Sequence, residues 1–326
     1  MKSKATFIVV VFCFLCCVMA FGQQQTPATE AIAPDIPGVV KGGTKVQIVK
    51  SDFETTVNGP VALPDGSGLL ICEYVLGSGP GVNRITKIDN RDKASTFVEN
   101  SHGALGLGFD SKGRLIANQI LPVERPALGV IYPKGQEAVF ADNFEGKPFA
   151  LTNDIVVDKK GGVYLTDPKP TESQVSAGYR PLESAVYYIP PGGKAIKIAD
   201  GIGRPNGIQL SPDEKILYVN NSFGDYLLAF DVQPDGTVRN RRDFAKYETG
   251  KDSNADGLAI DGEGRLYVVA RNGVQVFSPQ GQHLGTIPAV GGNVAFAGPG
   301  KKTLYITGRT LYKVQMLAQG FKGRAK

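Results

Sequence analysis

The sequence predicts an all-β fold, a six-bladed β-propeller with four-stranded antiparallel blades around a central channel. Three observations predict it. The 326 residues include 41 Gly and 21 Pro, no Trp and few long apolar helical patterns. Many short apolar runs lie between Gly-containing turns, which is the signature of strands rather than helices. One hairpin also recurs: NGPVAL at 58, LGLGFD at 105, NDIVVD at 153, NGIQLS at 206, DGLAID at 256 and NVAFAG at 293, spaced by 47, 48, 53, 50 and 37 residues. A period of about 50 residues built from strand pairs fits propeller blades.

Residues 1–22 precede the fold. Lys2 and Lys4 stand before an apolar run from Phe7 to Val18, then Met19, Ala20, Phe21 and Gly22. That pattern reads as an export signal and implies a periplasmic or secreted protein. The run is short for a membrane span, so the mature chain is expected to have none, with a retained anchor as the alternative. Residues 23–45, rich in Gln, Pro, Ala and Gly, read as a flexible lead-in. The propeller is assigned to 46–316. The basic tail 317–326, with Lys322, Arg324 and Lys326, reads as a solvated end.

Removal of the signal also removes Cys13, Cys16 and Cys17, leaving Cys72 in the apolar run Leu69-Leu70-Ile71-Cys72. An exported chain with one thiol has no internal disulfide and relies on its core, where a buried Cys acts as a small hydrophobe. The formal charge of +5 becomes +3 without Lys2 and Lys4 (5 − 2). So small and dispersed an excess gives no footprint for nucleic acid.

Each core is followed by a turn and a second strand: LLICEY, RLIANQ, VYLTDP, ILYVNN, LYVVAR and LYITGR. Further runs such as Asn83–Ile88 and Ala185–Ile189 supply the outer half of the blades. The cores open on Asn58, Leu105, Asn153, Asn206, Asp256 and Asn293, so five of six carry a side-chain oxygen. Asn is depleted in strands. If the cores are the innermost strands, those oxygens meet at one mouth of the channel. Polar groups gathered there need partners. Amides with a carboxylate suit a hard cation, calcium rather than zinc, and no Cys or His cluster offers a zinc site. The alternative is that Asn-Gly and Asp-Gly are ordinary turn formers or strand caps.

An ordered set of motifs resembles the senescence marker protein, gluconolactonase and luciferin-regenerating enzyme family. It comprises Asn58-Gly59-Pro60, Asn83-Arg84-Ile85, Glu145–Phe149, Thr152-Asn153-Asp154 through Thr166-Asp167-Pro168, Arg204–Ile208 with Ser211-Pro212-Asp213, Asp256-Gly257 and Leu304–Thr307. The resemblance spans Phe53 to Tyr312. It implies a six-bladed propeller with a divalent cation, usually calcium, in the channel, and hydrolysis of sugar-acid lactones or related esters. The family's third-blade and fourth-blade Asn ligands match Asn153 and Asn206, and its fifth-blade Asp matches Asp256.

Two departures stand out. The family's first-blade Glu is replaced by Asn58, which leaves Asp256 as the one carboxylate among the four ligand positions. Fewer charged ligands imply weaker calcium binding. The second strand of a hairpin returns to where the first began, so Glu73 is expected near Asn58 and Asp167 near Asn153, both facing the substrate. A solvated loop position is the alternative for Glu73. Leu105 stands where many lactonases carry an Asn. His102, three residues earlier, is the candidate base there, as in some related calcium lactonases.

The reading is therefore an exported, calcium-dependent hydrolase of a lactone or related ester. Asn58, Asn153, Asn206 and Asp256 hold the metal, while Asp256, Asn153 and His102 serve the chemistry. No covalent nucleophile is needed, and no G-x-S-x-G elbow is present. The alternative is a non-catalytic binding propeller of the cell envelope with a degraded metal site. The loops at Leu76–Val82 and Lys169–Pro181 are the candidates for specificity.

Overall fold

The computed structural model describes residues 30–74 and 83–324. The export signal and the loop Leu76–Val82 lie outside the described residues. Six antiparallel sheets form the blades, and their innermost strands touch in order around a closed ring. Those inner strands are Thr56–Ala62, Ala104–Phe109, Ile155–Val157, Pro205–Leu210, Leu258–Ile260 and Asn293–Ala297. The recurrent cores are thus the channel wall. The Asn-Gly pairs at 58 and 206 lie inside strands, which excludes the turn-former reading there.

Blades one to five each take four consecutive strands. The sixth takes three from the end of the chain, Asn293–Ala297, Thr303–Thr307 and Leu311–Gln315, and then Lys45–Lys50 and Ala31–Ile32 from the beginning. Gln47 and Ile48 pair with Lys313 and Tyr312, which closes the ring. This corrects the flexible lead-in: from Ala31 onward the segment is part of the fold. Ala33, Ile36, Val39 and Val40 are buried in a cluster with Phe296 and Tyr267. Composition concealed this, because a polar flank surrounds only four apolar contacts.

The second strands are apolar without alternation for a physical reason. Neighbouring blades cover both faces, so Gly68–Tyr74, Val163–Asp167 and Leu266–Ala270 are buried throughout. Outer strands such as Ala94–Val98 face water and carry polar residues. Between first and second strands an Asp repeatedly closes the turn. Asp110 Oδ1 accepts from Lys112 N and Arg114 N, each at 2.9 Å, and Asp261 Oδ1 from Glu263 N and Arg265 N, each at 2.9 Å. Such side-chain turns fix hairpin register locally.

The basic tail is not a solvated end. Gly320 bridges to Asp261, and Phe321 N donates to Ile260 O at 3.2 Å, so the chain crosses the far end of the channel. Arg324 pairs with Glu214 at 3.1 Å and donates to Leu210 O at 2.5 Å. Lys301 donates to Phe321 O at 2.9 Å, and burial pulls its pKa down to about 8. The tail satisfies carbonyls that inner strands leave at this end, which a charge count does not reveal. The opposite end carries the candidate site.

Candidate active site at the channel mouth

Side chains from the second strands set the positions of the ring residues in the next blade. Asn118 accepts from Gly106 N at 2.5 Å and donates to Thr152 O at 2.7 Å, beside Asn153. Thr166 donates to Asn206 O at 2.8 Å, and Asn220 donates to Asp256 O at 2.6 Å. The backbone continues the relay: Gly207 N donates to Asp256 O at 3.0 Å and Gly257 N to Gly292 O at 2.8 Å. Asn153, Asn206 and Asp256 thereby belong to one hydrogen-bonded ring. Asn118, Thr166 and Asn220 were missed from sequence, although a polar residue inside an apolar strand was the available signal.

The five polar ring residues are not equivalent. Asn206 Nδ2 donates to the Ser222 hydroxyl at 3.1 Å, which in turn donates to Ala255 O at 2.6 Å. Its Oδ1 is buried without a hydrogen-bond partner. A buried acceptor left bare costs about 1–3 kcal/mol, and the protein itself supplies this oxygen with no partner. Asp256 and Asn153 are half-buried at the same mouth. Asn58 differs from its expected role. Its Oδ1 accepts from Gly59 N at 2.7 Å, and the amide hydrogen-bonds the Tyr74 hydroxyl. Asn293 Oδ1 likewise accepts from Val294 N, at 2.8 Å. Three oxygen donors, Asn153, Asn206 and Asp256, therefore fit a hard cation, while the first-blade corner offers an amide already engaged.

Glu73 does not complete the site. Val57 pairs with Glu73 and Asn58 with Cys72, and successive side chains project to opposite faces. Glu73 thus points away from Asn58. Its carboxylate binds Arg84 through Nε at 3.1 Å and Nη2 at 2.8 Å, and accepts from the Thr86 hydroxyl at 2.5 Å. It is a structural ion pair across the sheet. One residue along, Tyr74 returns to the face of Asn58 and lies within the field of Asp256.

Asp167 is also structural. Fully buried, it accepts from Ala150 N at 2.9 Å and Leu151 N at 2.7 Å, holding the segment that leads to Asn153. Burial raises its pKa to about 6 against the pull of those two donors. The folded state thus binds a proton more tightly than the unfolded one, so its contribution is full below pH 4 and is lost as the pH rises through 6. Asp167→Asn should remove this dependence. Relative to the variant, wild type is expected to lose up to about 3 kcal/mol between those limits, read from urea midpoints. A constant difference would refute the assignment.

His102 stands exposed in the loop entering blade two, at φ 51°. Its N–H donates to Asn100 Oδ1 at 3.0 Å, and its carbonyl accepts from Leu121 N at 3.0 Å. Among the described residues no hydrogen bond or ion pair joins its ring to the residues of the mouth. Leu105 instead packs with Tyr74, Ile120, Leu151 and Tyr179 in an apolar cluster. On the opposite side Arg204 feels the charge of Asp256, although burial lowers its pKa. Arg204 donates to Lys169 O at 2.8 Å and lies over the Phe223 ring at 5.6 Å.

Fold and mouth together define the class, a propeller whose site is assembled at one channel end from the starts of several inner strands. Residues 79–310 match the family model described as SMP-30/Gluconolactonase/LRE-like region, and the chain belongs to that family. It is similar to a gluconolactonase of Zymomonas mobilis, 29% identical over 303 residues covering 84% of this chain and 82% of that protein. The solved gluconolactonase of Xanthomonas campestris superposes with TM-score 0.74 at 25% identity, covering 89% and 98% of the two chains. A regucalcin of Agrobacterium tumefaciens, described as a calcium-binding protein, shares the fold with TM-score 0.68 at 14% identity, over 85% and 95%. The family and its gluconolactonase members support lactone hydrolysis as the class of activity.

Proposed function

We propose that this chain is an exported hydrolase that opens the ring of a lactone with the help of a divalent cation, calcium by preference. The observation that carries the cation is the bare Asn206 Oδ1, buried on the same ring as Asp256. Asn153, Asn206 and Asp256 would hold it, an all-oxygen set that suits calcium. When bound, the cation polarises the lactone carbonyl and stabilises the negative charge that develops on its oxygen.

The chain's own groups supply the rest. Asp256 orients the attacking water and takes its proton. The water oxygen bonds to the carbonyl carbon, the ring C–O bond breaks, and the departing oxygen receives that proton to give a hydroxy acid. Asn153 and Asn206 fix the position of the reacting ester. Export rests on the charged and apolar pattern of residues 1–22.

The test is hydrolysis of a panel of aldonolactones by the mature chain, with calcium and with excess chelator. Turnover that chelation abolishes and calcium restores is expected. Asn58 in place of an acidic ligand favours a second reading, a binding propeller that has lost its chemistry. Millimolar or absent calcium affinity together with no turnover of any lactone would establish that reading instead.

A further inference from the structure

The amide of Asn58 has a fixed orientation. Gly59 N donates to its Oδ1 at 2.7 Å, and an amide nitrogen could not accept in that place. Nδ2, the donor end, is therefore the end left for other partners. The strand itself imposes this arrangement. Its pairing with the second strand shifts register between Asn58 and Val61, and Gly59 lies at φ 51°. A Cβ on Gly59 would sit 2.1 Å from Leu105 O of blade two, so the bulge requires glycine. At this bulge Gly59 N bonds to the side chain of its neighbour.

Nδ2 and the Asp256 carboxylate border one point at the mouth, where Gly292 has no side chain. A Cβ on Gly292 would lie 3.4 Å from Asp256 Oδ2 and 3.8 Å from Asn58 Nδ2. Gly292 is held there from both neighbouring strands: its N–H donates to Thr307 O at 2.6 Å, and its carbonyl accepts from Gly257 N at 2.8 Å. One pole of this point is thus a carboxylate oxygen and the other an N–H donor. The Tyr74 hydroxyl takes at most one of the two Nδ2 protons, which leaves the second for a ligand. Where the family carries an acidic ligand, this chain presents a proton.

Resting on the lactone-hydrolase reading, we infer that Asn58 is a further catalytic residue of that reaction, a hydrogen-bond donor from Nδ2 to the lactone carbonyl oxygen rather than a cation ligand. As water adds to the carbonyl carbon, negative charge gathers on that oxygen. An N–H already held in place stabilises that charge more than it stabilises the uncharged ester, and so lowers the barrier. No proton leaves Asn58, and the hydrogen bond weakens again when the ring C–O bond breaks and the carbonyl re-forms. A carboxylate at position 58 would repel the same charge. The Asn therefore costs cation affinity and supplies a donor in its place.

The experiment measures lactone turnover, and calcium affinity by calorimetry, on wild type, Asn58→Ala and Asn58→Asp. Asn58→Ala removes the donor and should lower kcat about a hundredfold, with KM and calcium affinity each within about threefold of wild type. Asn58→Asp keeps an acceptor for Gly59 N, so the bulge retains its bond while the donor is lost and a charge is added. Calcium should then bind at least about tenfold more tightly while kcat falls as in Asn58→Ala. A merely structural role would not move the two readouts in opposite directions. Calcium affinity that falls with kcat in Asn58→Ala, or kcat that rises with calcium affinity in Asn58→Asp, would make Asn58 a ligand and overturn the inference. If wild type opens no lactone, the hydrolase reading falls, and gluconate binding to the calcium-loaded proteins decides the donor role alone. Binding about tenfold tighter by wild type than by Asn58→Ala upholds the donor, and equal binding removes it.

Discussion

Asp256→Ala is expected to lower kcat/KM toward lactones by about a thousandfold and to abolish measurable calcium binding, while Tm stays nearly constant. The magnitude is that of losing a group that stabilises developing charge. Two roles disappear together, since Asp256 is the only carboxylate among the four matched ligand positions and the proposed acceptor of the water proton. The fold should survive because the backbone of Asp256 holds its own place. Its N–H donates to Val269 O at 2.9 Å, and its carbonyl accepts from Gly207 N and Asn220. Asp256→Asn keeps an oxygen but not the charge, and should fall between wild type and Ala in calcium affinity. Kinetics beside calorimetry decide the matter. Activity within threefold of wild type in the Ala variant would end the proposed mechanism.

Gly207→Ala is expected to destabilise the protein by about 3 kcal/mol, the range of an overpacked core, and to cut activity with it. A Cβ at this position would sit 2.4 Å from Asp256 O and 2.9 Å from Gly257 Cα. Those are backbone atoms of the next blade, so nothing flexible can yield. Relief requires blades four and five to separate, which strains the Gly207 N to Asp256 O bond and moves Asn206 relative to Asp256. Gly262→Ala is the control, because its Cβ would meet only Gln319 O at 3.5 Å. It should change stability by less than about 0.5 kcal/mol. Urea denaturation of both variants tests the contrast, and equal midpoints would show that the close approach of the blades carries no load.

Legibility differed between fold and site. The six cores were readable because every inner strand faces the same surroundings, a channel on one edge and its own second strand on the other. The placement of Asn153, Asn206 and Asp256 on one ring was readable for the same reason, since repeat register brings like positions together. Glu73 was misplaced because returning to the same end of a hairpin does not fix the face. The pleat sends residue 73 toward Arg84 and brings Tyr74 to Asn58. Asp167 looked like a second ring acid, yet its oxygens bind the backbone at Ala150 and Leu151.

What the amino-acid order determined by itself was the repeat, the number of blades, and the residue types carried to the mouth. These follow from local periodicity and turn chemistry, which need no distant partner. Tertiary structure alone decided that Ala31–Lys50 closes the ring, that the tail crosses the far end, and that Asn58 turns its oxygen to Gly59. It also decided that Tyr179, some hundred residues from Tyr74 in the chain, shares an apolar wall with it. Such contacts join segments far apart in sequence, and their geometry exists only once every blade has packed against its neighbours.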